Sequence, residues 1–116
     1  MKNKPLYFAL SLRIFRENKC FGKGVAQLLE LVDELHSLRQ ATQQMNIAYS
    51  KAWTVIKTAE QELGFKLLET TTGGRHGGGA ILTERARQLL IDYRALCEDV
   101  QAAADASFAK HFARYA

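Results

Sequence analysis

The chain has 116 residues and a formal net charge of +4, with 47% hydrophobic and 24% charged residues. That length fits one compact domain and argues against a two-lobed enzyme, while the composition and a single proline argue against a disordered chain. No apolar run approaches the roughly 18 residues that a membrane span needs, so we expect a cytoplasmic protein without a membrane partner.

The positive charge is unevenly distributed along the chain. Residues 1–82 carry eleven basic and seven acidic residues, whereas residues 83–116 carry five of each. The whole excess therefore lies in the first part, which suggests a polyanionic partner for that part. Cys20 and Cys97 lie far apart and outside any Cys-x-x-Cys pair, which fits a reducing compartment and not a disulfide framework.

The first predicted element is a strand over residues 6–15, because the even positions from Leu6 to Ile14 are all apolar. A charged loop with glycines is expected over residues 16–24. Apolar residues then recur at intervals of three and four, which predicts an amphipathic helix over about residues 25–36.

Two more helices and a pair of strands are predicted next. Ser37 and Gln40 form a capping-box pattern that starts a helix over residues 38–45, and a third helix over residues 49–63 ends at Gly64. Residues 65–82 contain two short apolar runs separated by a glycine-rich loop. This order predicts a winged helix-turn-helix over residues 1–82, whose third helix enters the major groove of DNA.

The last predicted element is a long helix within residues 83–116, in the same domain, with Thr83 as its N-cap. Its apolar residues form a heptad seam and, at about 1.5 Å per residue, it outreaches so small a domain. We expect it to pair with a second copy, the alternative being that it folds back on its own core. The predicted dimer interface comprises Leu28, Leu89, Tyr93, Leu96 and Val100.

The fold class expected is therefore mainly α with small β: a winged helix-turn-helix with an N-terminal strand, a two-stranded wing and a long C-terminal dimerisation helix. On the third helix the outward face is hydroxyl, amide and ammonium, without carboxylates, and Glu60 and Glu62 come only near its end. Lys51 and Lys57 are predicted to contact phosphates, while Ser50 and Thr54 can reach base edges. Trp53 is expected to pack on the core, and Tyr49 is open between packing and base contact.

The wing adds two candidate DNA-binding residues, Arg75 and His76, at the tip of glycine arms. The alternative is a plain β-turn with a surface arginine. No Lys-Ser or Lys-Thr follows the glycines, so a P-loop is not indicated. The three histidines are scattered and no catalytic set is recognisable, so we expect no metal, no cofactor and no enzyme activity.

Several segments resemble a known family. They are Ile47-Ala48-Tyr49-Ser50-Lys51-Ala52-Trp53, the wing Thr72-Gly73-Gly74 with Gly77-Gly78-Gly79-Ala80-Ile81-Leu82-Thr83, and the turn Glu62-Leu63-Gly64-Phe65-Lys66-Leu67-Leu68. The chain resembles the N-terminal DNA-binding domain of ModE-type molybdenum-dependent regulators, which are related to the LysR-type winged helix. The turn is similar to the one that leaves the recognition helix in LysR-type proteins.

The resemblance implies a winged helix preceded by a strand and dimerised through its first and last helices. It places Tyr49, Ser50, Lys51, Thr54 and Lys57 on the operator and Arg75 in the wing. The chain departs from the family in having alanine at position 48, often serine, and threonine at position 70, often arginine. Molybdate sensing in such regulators belongs to C-terminal oxyanion-binding domains, so molybdate binding is not expected in this chain, whether it stands alone or is excised from a longer product.

The leading hypothesis is a homodimeric transcriptional regulator that binds double-stranded DNA at a pseudo-palindromic operator. The alternative is a non-enzymatic dimeric protein-interaction module without specific DNA binding. A third idea, an oxyanion bound at the wing, is disfavoured because an open loop encloses little.

Overall fold

The fold is seen in a computed structural model that describes residues 4–71 and 79–116. In chain order the elements are β1 (Ile14–Phe15), β2 (Lys19–Phe21), α1 (Lys23–Leu35), α2 (Leu38–Met45), α3 (Tyr49–Leu63), β3 (Leu68–Thr70), β4 (Ala80–Leu82) and α4 (Glu84–Phe112), followed by a 3-10 turn at Ala113–Tyr115. Strands β1 and β2 pair antiparallel, as do β3 and β4. This arrangement confirms the mainly α winged helix-turn-helix predicted from the sequence.

The core lies where α1, α2 and α3 meet and is closed by one strand pair on each side. Helix α1 packs on α2 and on β4, while α3 packs on β2. The largest side chains that are fully buried are Phe21, Leu28, Leu29, Ile56, Leu67 and Val32. Because every helix contributes one apolar stripe to this single cluster, the exposed face of α3 has a fixed orientation relative to the rest of the protomer.

Local capping sets the helix ends that the sequence predicts. The Ser37 hydroxyl accepts a hydrogen bond from the Gln40 amide (3.1 Å) and starts α2. Gly64 ends α3 with a φ of 84°, in the left-handed region that glycine adopts without a steric penalty. The Thr83 hydroxyl accepts from the Ala86 amide (3.1 Å) and donates to the Lys66 carbonyl (2.7 Å), so it both caps α4 and ties it to the chain before the wing.

The strand predicted over residues 6–15 is wrong in extent. Only Ile14 and Phe15 form a strand, and their partner is β2, inside the segment that was expected to be a loop. Residues 5–13 have no regular structure, although Leu12 and Phe8 are half-buried. Apolar residues alternate in this segment because it is extended and one of its sides lies against α4. It forms no strand there, because the backbone groups of a helix are already hydrogen-bonded and cannot pair with a strand.

Helix α4 is held against α1 by two ion pairs and against β2 by one aromatic contact. Arg87 pairs with Asp33 at 2.7 Å, and the Arg94 guanidinium forms a bidentate pair with Glu30, with 2.9 Å from Nε to Oε2. The Tyr93 ring lies edge-on to Phe21, with centroids 5.0 Å apart. These contacts involve only the first part of α4.

The distal part of α4 leaves the core, which gives the protomer a length of 61 Å against 33 and 22 Å in the other directions. There the Phe108 ring is 5.0 Å from Phe8 of the N-terminal segment and 5.0 Å from Phe112. Among residues 4–71 and 79–116, no helix combines the length and the apolar content that crossing a bilayer requires.

Candidate nucleic-acid interface

Helices α2 and α3 are joined by a tight turn, which is the central unit of a helix-turn-helix. Asn46 ends α2 with a φ of 57°, and the Ile47 amide donates to the Thr42 carbonyl at 3.0 Å. The side of α3 that faces the core carries its buried residues, Ala52, Ile56 and Ala59. The opposite side of α3 presents the exposed residues Ser50, Lys51, Thr54, Lys57 and Gln61.

The N-terminus of α3 has no side-chain cap. Ala48 is the N-cap residue and has no hydroxyl to accept from the first amides, while Asn46 ends α2 and does not cap α3. No side chain therefore compensates the positive end of the helix dipole at the N-terminus of α3. The exposed hydroxyl groups of α3 begin at this same end.

Ser50 and Thr54 lie one turn apart on the exposed face. The Thr54 hydroxyl donates to the Ser50 carbonyl at 3.1 Å, which fixes its rotamer. With its proton directed to Ser50, the hydroxyl presents its lone pairs to a ligand, beside the methyl group of Thr54. Cytosine N4 and adenine N6 are the base-edge donors that such an acceptor fits, and the thymine methyl suits the methyl group.

Lys57 lies on the same face, with its side chain 61% exposed. Its Nζ is 3.6 Å from Glu60 Oε1 and 5.3 Å from the centre of the Trp53 ring. Glu60 is itself held inward, because its other carboxylate oxygen accepts from the Leu67 amide at 2.8 Å. The Lys57 ammonium group therefore lies between Glu60 and the Trp53 ring and is still in contact with solvent.

Trp53 and Tyr49 form the apolar border of this face. Both are half-buried and pack against the core, and their rings meet edge to face with centroids 6.4 Å apart. The packing role predicted for Trp53 is confirmed. Tyr49 has the Arg39 guanidinium 4.2 Å above its ring centre, so one face of the ring is covered.

Glu62, near the end of α3, supports the β1–β2 hairpin. One of its carboxylate oxygens accepts from the Asn18 amide at 2.7 Å and from the Glu17 amide at 2.8 Å. The Asn18 hydrogen bond, with a smaller contribution from Glu17, lowers the pKa of Glu62 below its usual value, against the opposing effect of burial. The two acidic residues near the end of α3, Glu60 and Glu62, therefore accept hydrogen bonds from backbone amides within the fold and do not form a solvated face.

Replacing Glu62 by glutamine is expected to lower stability at neutral pH only. A carboxyl whose pKa is lowered by folding stabilises the native state above its unfolded pKa, near 4.5, and loses this effect as the pH falls through the folded value. The measurement is the free energy of unfolding from pH 3 to pH 7, with Glu98→Gln on α4 as the control. A difference between wild type and Glu62→Gln that is the same at pH 3 and pH 7 would contradict this.

The base of the wing is anchored to the end of α1. The Ala80 amide donates to the His36 carbonyl at 3.2 Å, and the Thr71 amide donates to the Gly79 carbonyl at 2.9 Å. A Cβ on Gly79 would lie 3.1 Å from both the His36 carbonyl oxygen and the Thr71 hydroxyl oxygen, so a larger residue would require these neighbours to shift by a few tenths of an ångström. Arg75 and His76 lie outside the described residues.

Three cations that the sequence analysis missed lie beside α3. They are Arg39 on α2, Lys66 before β3 and Arg85 at the start of α4, all exposed. Lys66 and Lys57 line one hollow of about 460 Å³ between α3 and β3, together with Trp53 and Thr70. No sequence spacing relates these residues to α3, because only the packing of α2, α4 and the wing brings them to its edges.

The predicted dimer-interface residues fall into two groups. Leu28 and Tyr93 are only 2% and 3% exposed within the protomer. Their predicted place in a dimer interface therefore needs correction, because both side chains fill the core of the protomer. Leu89 and Val100 are half-buried, while Leu96 is 42% exposed. The physical reason is that the heptad seam faces α1 and Phe21 over its first turns and becomes free only farther along.

Comparison with known proteins identifies the family. The family model for bacterial regulatory helix-turn-helix proteins of the LysR family matches residues 26–87, which is more than half of the chain. The chain belongs to this family. The matched segment runs from α1 through α2, α3 and the wing into the start of α4, and the family is one of regulators and not of enzymes.

Relatives of this LysR-family chain include three proteins named ModE. It is 34% identical over 79 residues to the molybdenum transport protein ModE of Azotobacter vinelandii, covering 68% of this chain and 29% of that protein. It is 34% identical over 98 residues to the transcriptional regulator ModE of Haemophilus influenzae, covering 83% and 36%. The DNA-binding transcriptional dual regulator ModE of Escherichia coli K12 is 36% identical over 69 residues, covering 60% and 26%. The chain thus spans about a third of the length of these relatives.

Proposed function

We propose that this chain is a sequence-specific DNA-binding transcriptional regulator that acts in the cytoplasm as a homodimer. The observation that carries the proposal is the exposed face of α3, where hydroxyl, amide and ammonium groups stand together and the carboxylates of Glu60 and Glu62 are turned to backbone amides. Such a face suits phosphates and base edges. Membership of a family of helix-turn-helix regulators supports it.

In this proposal α3 enters the major groove with its uncapped N-terminus leading. Lys51 and Lys57 neutralise backbone phosphates and release counterions, whereas Ser50 and Thr54 meet base edges. The wing reaches the backbone or the minor groove with Arg75 and His76.

Dimerisation is supported by the surface of α4. Leu96 is 42% exposed on α4, and beyond Cys97 the helix projects from the core while still carrying apolar residues such as Phe112, which is 45% exposed. A second copy packed on this stripe would bury it and bring two α3 helices to successive major grooves about 34 Å apart, which calls for a pseudo-palindromic operator.

The function is tested by DNA retention together with sedimentation. Fragmented genomic DNA is passed over the immobilised protein at low salt, and bound fragments are sequenced after elution with a salt gradient. We expect retention that falls steeply with salt and enrichment of an inverted repeat. A protein that sediments as a dimer but retains no DNA at low salt would refute the regulator and favour a protein-interaction module.

Lys57→Ala and Thr54→Ala are expected to have different effects on DNA binding. Lys57→Ala should weaken binding to every sequence and lower the slope of log affinity against log salt by about one. Thr54→Ala should leave that slope unchanged and alter preference at one base pair, by roughly 1–3 kcal/mol. Both are measured by fluorescence anisotropy on an operator and on a scrambled duplex. An unchanged slope in Lys57→Ala would place this lysine away from phosphates.

A further inference from the structure

Two arginines outside α3 are stacked on aromatic rings at its two ends. The Arg39 Cζ lies 4.2 Å from the ring centre of Tyr49, the first residue of α3. The Arg85 Cζ lies 4.1 Å from the ring centre of Phe65, two residues after the end of α3. Both arginines are exposed to solvent and both rings are half-buried.

Neither guanidinium is neutralised by a carboxylate in the described part of the chain. The ion pairs found there join Lys57 to Glu60, Arg87 to Asp33 and Arg94 to Glu30. An exposed arginine normally samples many rotamers, and ordering it on binding costs conformational entropy. Stacking on a fixed ring removes much of that cost and leaves the N–H groups of the guanidinium fork available to an anion.

The two arginines lie beside opposite ends of α3. Helix α3 has 15 residues and is therefore about 22 Å long, which exceeds the major-groove width of about 12 Å, so groups beside its two ends are far enough apart to reach the backbones on both sides of the groove. Arg39 belongs to α2, and the first helix of a helix-turn-helix crosses the DNA backbone. At the other end, Phe65 lines a hollow of about 370 Å³ with Lys57, Lys66 and Glu60, so two lysines and one glutamate lie next to the Arg85 stack.

We propose that Arg39 and Arg85 each bind a backbone phosphate, on opposite rims of the groove that α3 enters, and that Tyr49 and Phe65 are the positioning residues that hold them. The proposal rests on the DNA-binding function proposed above. It also gives Tyr49 a role that the sequence leaves open: its ring supports a phosphate contact and does not read a base.

The main test is the salt dependence of binding to a DNA fragment selected with the wild-type protein. Arg39→Ala and Arg85→Ala should each lower the slope of log affinity against log salt by about one, and the double variant by about two, on operator and scrambled DNA alike. Arg114→Ala is the matched control, since it removes the same charge from the 3-10 turn at the far end of α4 and should leave the slope unchanged.

Single methylphosphonate substitutions then locate the two contacts. One set of phosphates should lose its effect in Arg39→Ala alone and a second set in Arg85→Ala alone, while phosphates contacted by Lys51 or Lys57 keep their effect in both variants. The two arginine-dependent sets should lie on opposite rims of one major groove. Sets that fall on the same rim would overturn the proposal.

The role of Tyr49 is tested with two variants that differ in the ring. Tyr49→Phe keeps the ring and should bind like wild type, whereas Tyr49→Leu should lower the salt slope and make Arg39→Ala nearly silent when combined with it. A change of preference at one base pair in Tyr49→Phe would show that the hydroxyl reads a base and would overturn this part.

The outcomes separate the two proposals. If wild type binds DNA but neither arginine variant changes the salt slope, the phosphate assignment fails and the regulator stands. If wild type retains no DNA, both fail together.

Discussion

Replacing Phe21 by alanine is expected to destabilise the protein by about 3–5 kcal/mol, the usual cost of deleting a buried phenylalanine side chain. Phe21 is completely buried and lies edge-on to Tyr93 of α4, on a strand that also packs against α3. A domain of this size has a total stability of roughly 5–15 kcal/mol, so the variant should unfold at a much lower urea concentration. The measurement is urea denaturation followed by circular dichroism.

Phe15→Ala is the matched control for Phe21→Ala. It deletes the same side chain from the same hairpin at a position that is 60% exposed, so within the protomer it leaves little cavity. We expect a loss within about 1 kcal/mol, as for surface substitutions in general. Equal losses in the two variants would mean that Phe21 does not fill the core between α3 and α4.

Leu96→Glu is expected to convert the proposed dimer into monomers and to weaken operator binding at least about 100-fold, because two linked half-site contacts then become independent. Leu96 is 42% exposed in the protomer, so the charge does not enter its core. Sedimentation velocity at micromolar concentration gives the mass, and anisotropy gives the affinity for the full operator and for a half-site.

Ala102→Glu is the control for Leu96→Glu, since it places the same charge on the opposite, exposed side of α4. It should remain dimeric and bind normally. If Leu96→Glu still sediments as a dimer, the interface lies elsewhere. The aromatic cluster of Phe8, Phe108 and Phe112, of which Phe112 is 45% exposed, would then be the next region to test.

The elements that the sequence predicts well are those whose ends are set by neighbouring residues. Helices α2 and α3 begin and end where predicted, since Ser37 and Gly64 act within one turn of their own positions. The N-terminal strand is different, because an extended segment lying on a helix and one lying in a sheet share the same alternation of apolar residues. Phe21 was missed as a core residue because a three-residue strand is too short to show a period.

Some residues of the candidate site can be predicted from local sequence, and others cannot. The exposed residues of α3 follow from helical periodicity alone, and Ser50, Lys51, Thr54 and Lys57 are all on that face. Arg39 and Arg85 could not be predicted, since each belongs to another helix and reaches α3 through a stacking contact between distant residues. The placement of Leu28 and Tyr93 in the core likewise depends on how far α4 stays in contact with α1.

The ion pairs of Arg87 with Asp33 and of Arg94 with Glu30 bear on how binding-site spacing can evolve. They clamp the first turns of α4 to α1, so the direction in which the long helix leaves the protomer is fixed relative to α3. In a dimer joined through α4, this angle and the contact register would set the distance between the two half-sites. A one-residue slip along α4 turns its face by about 100°. In such a dimer, substitutions at these pairs are expected to alter the spacing of the two half-sites without changing the residues proposed to contact bases.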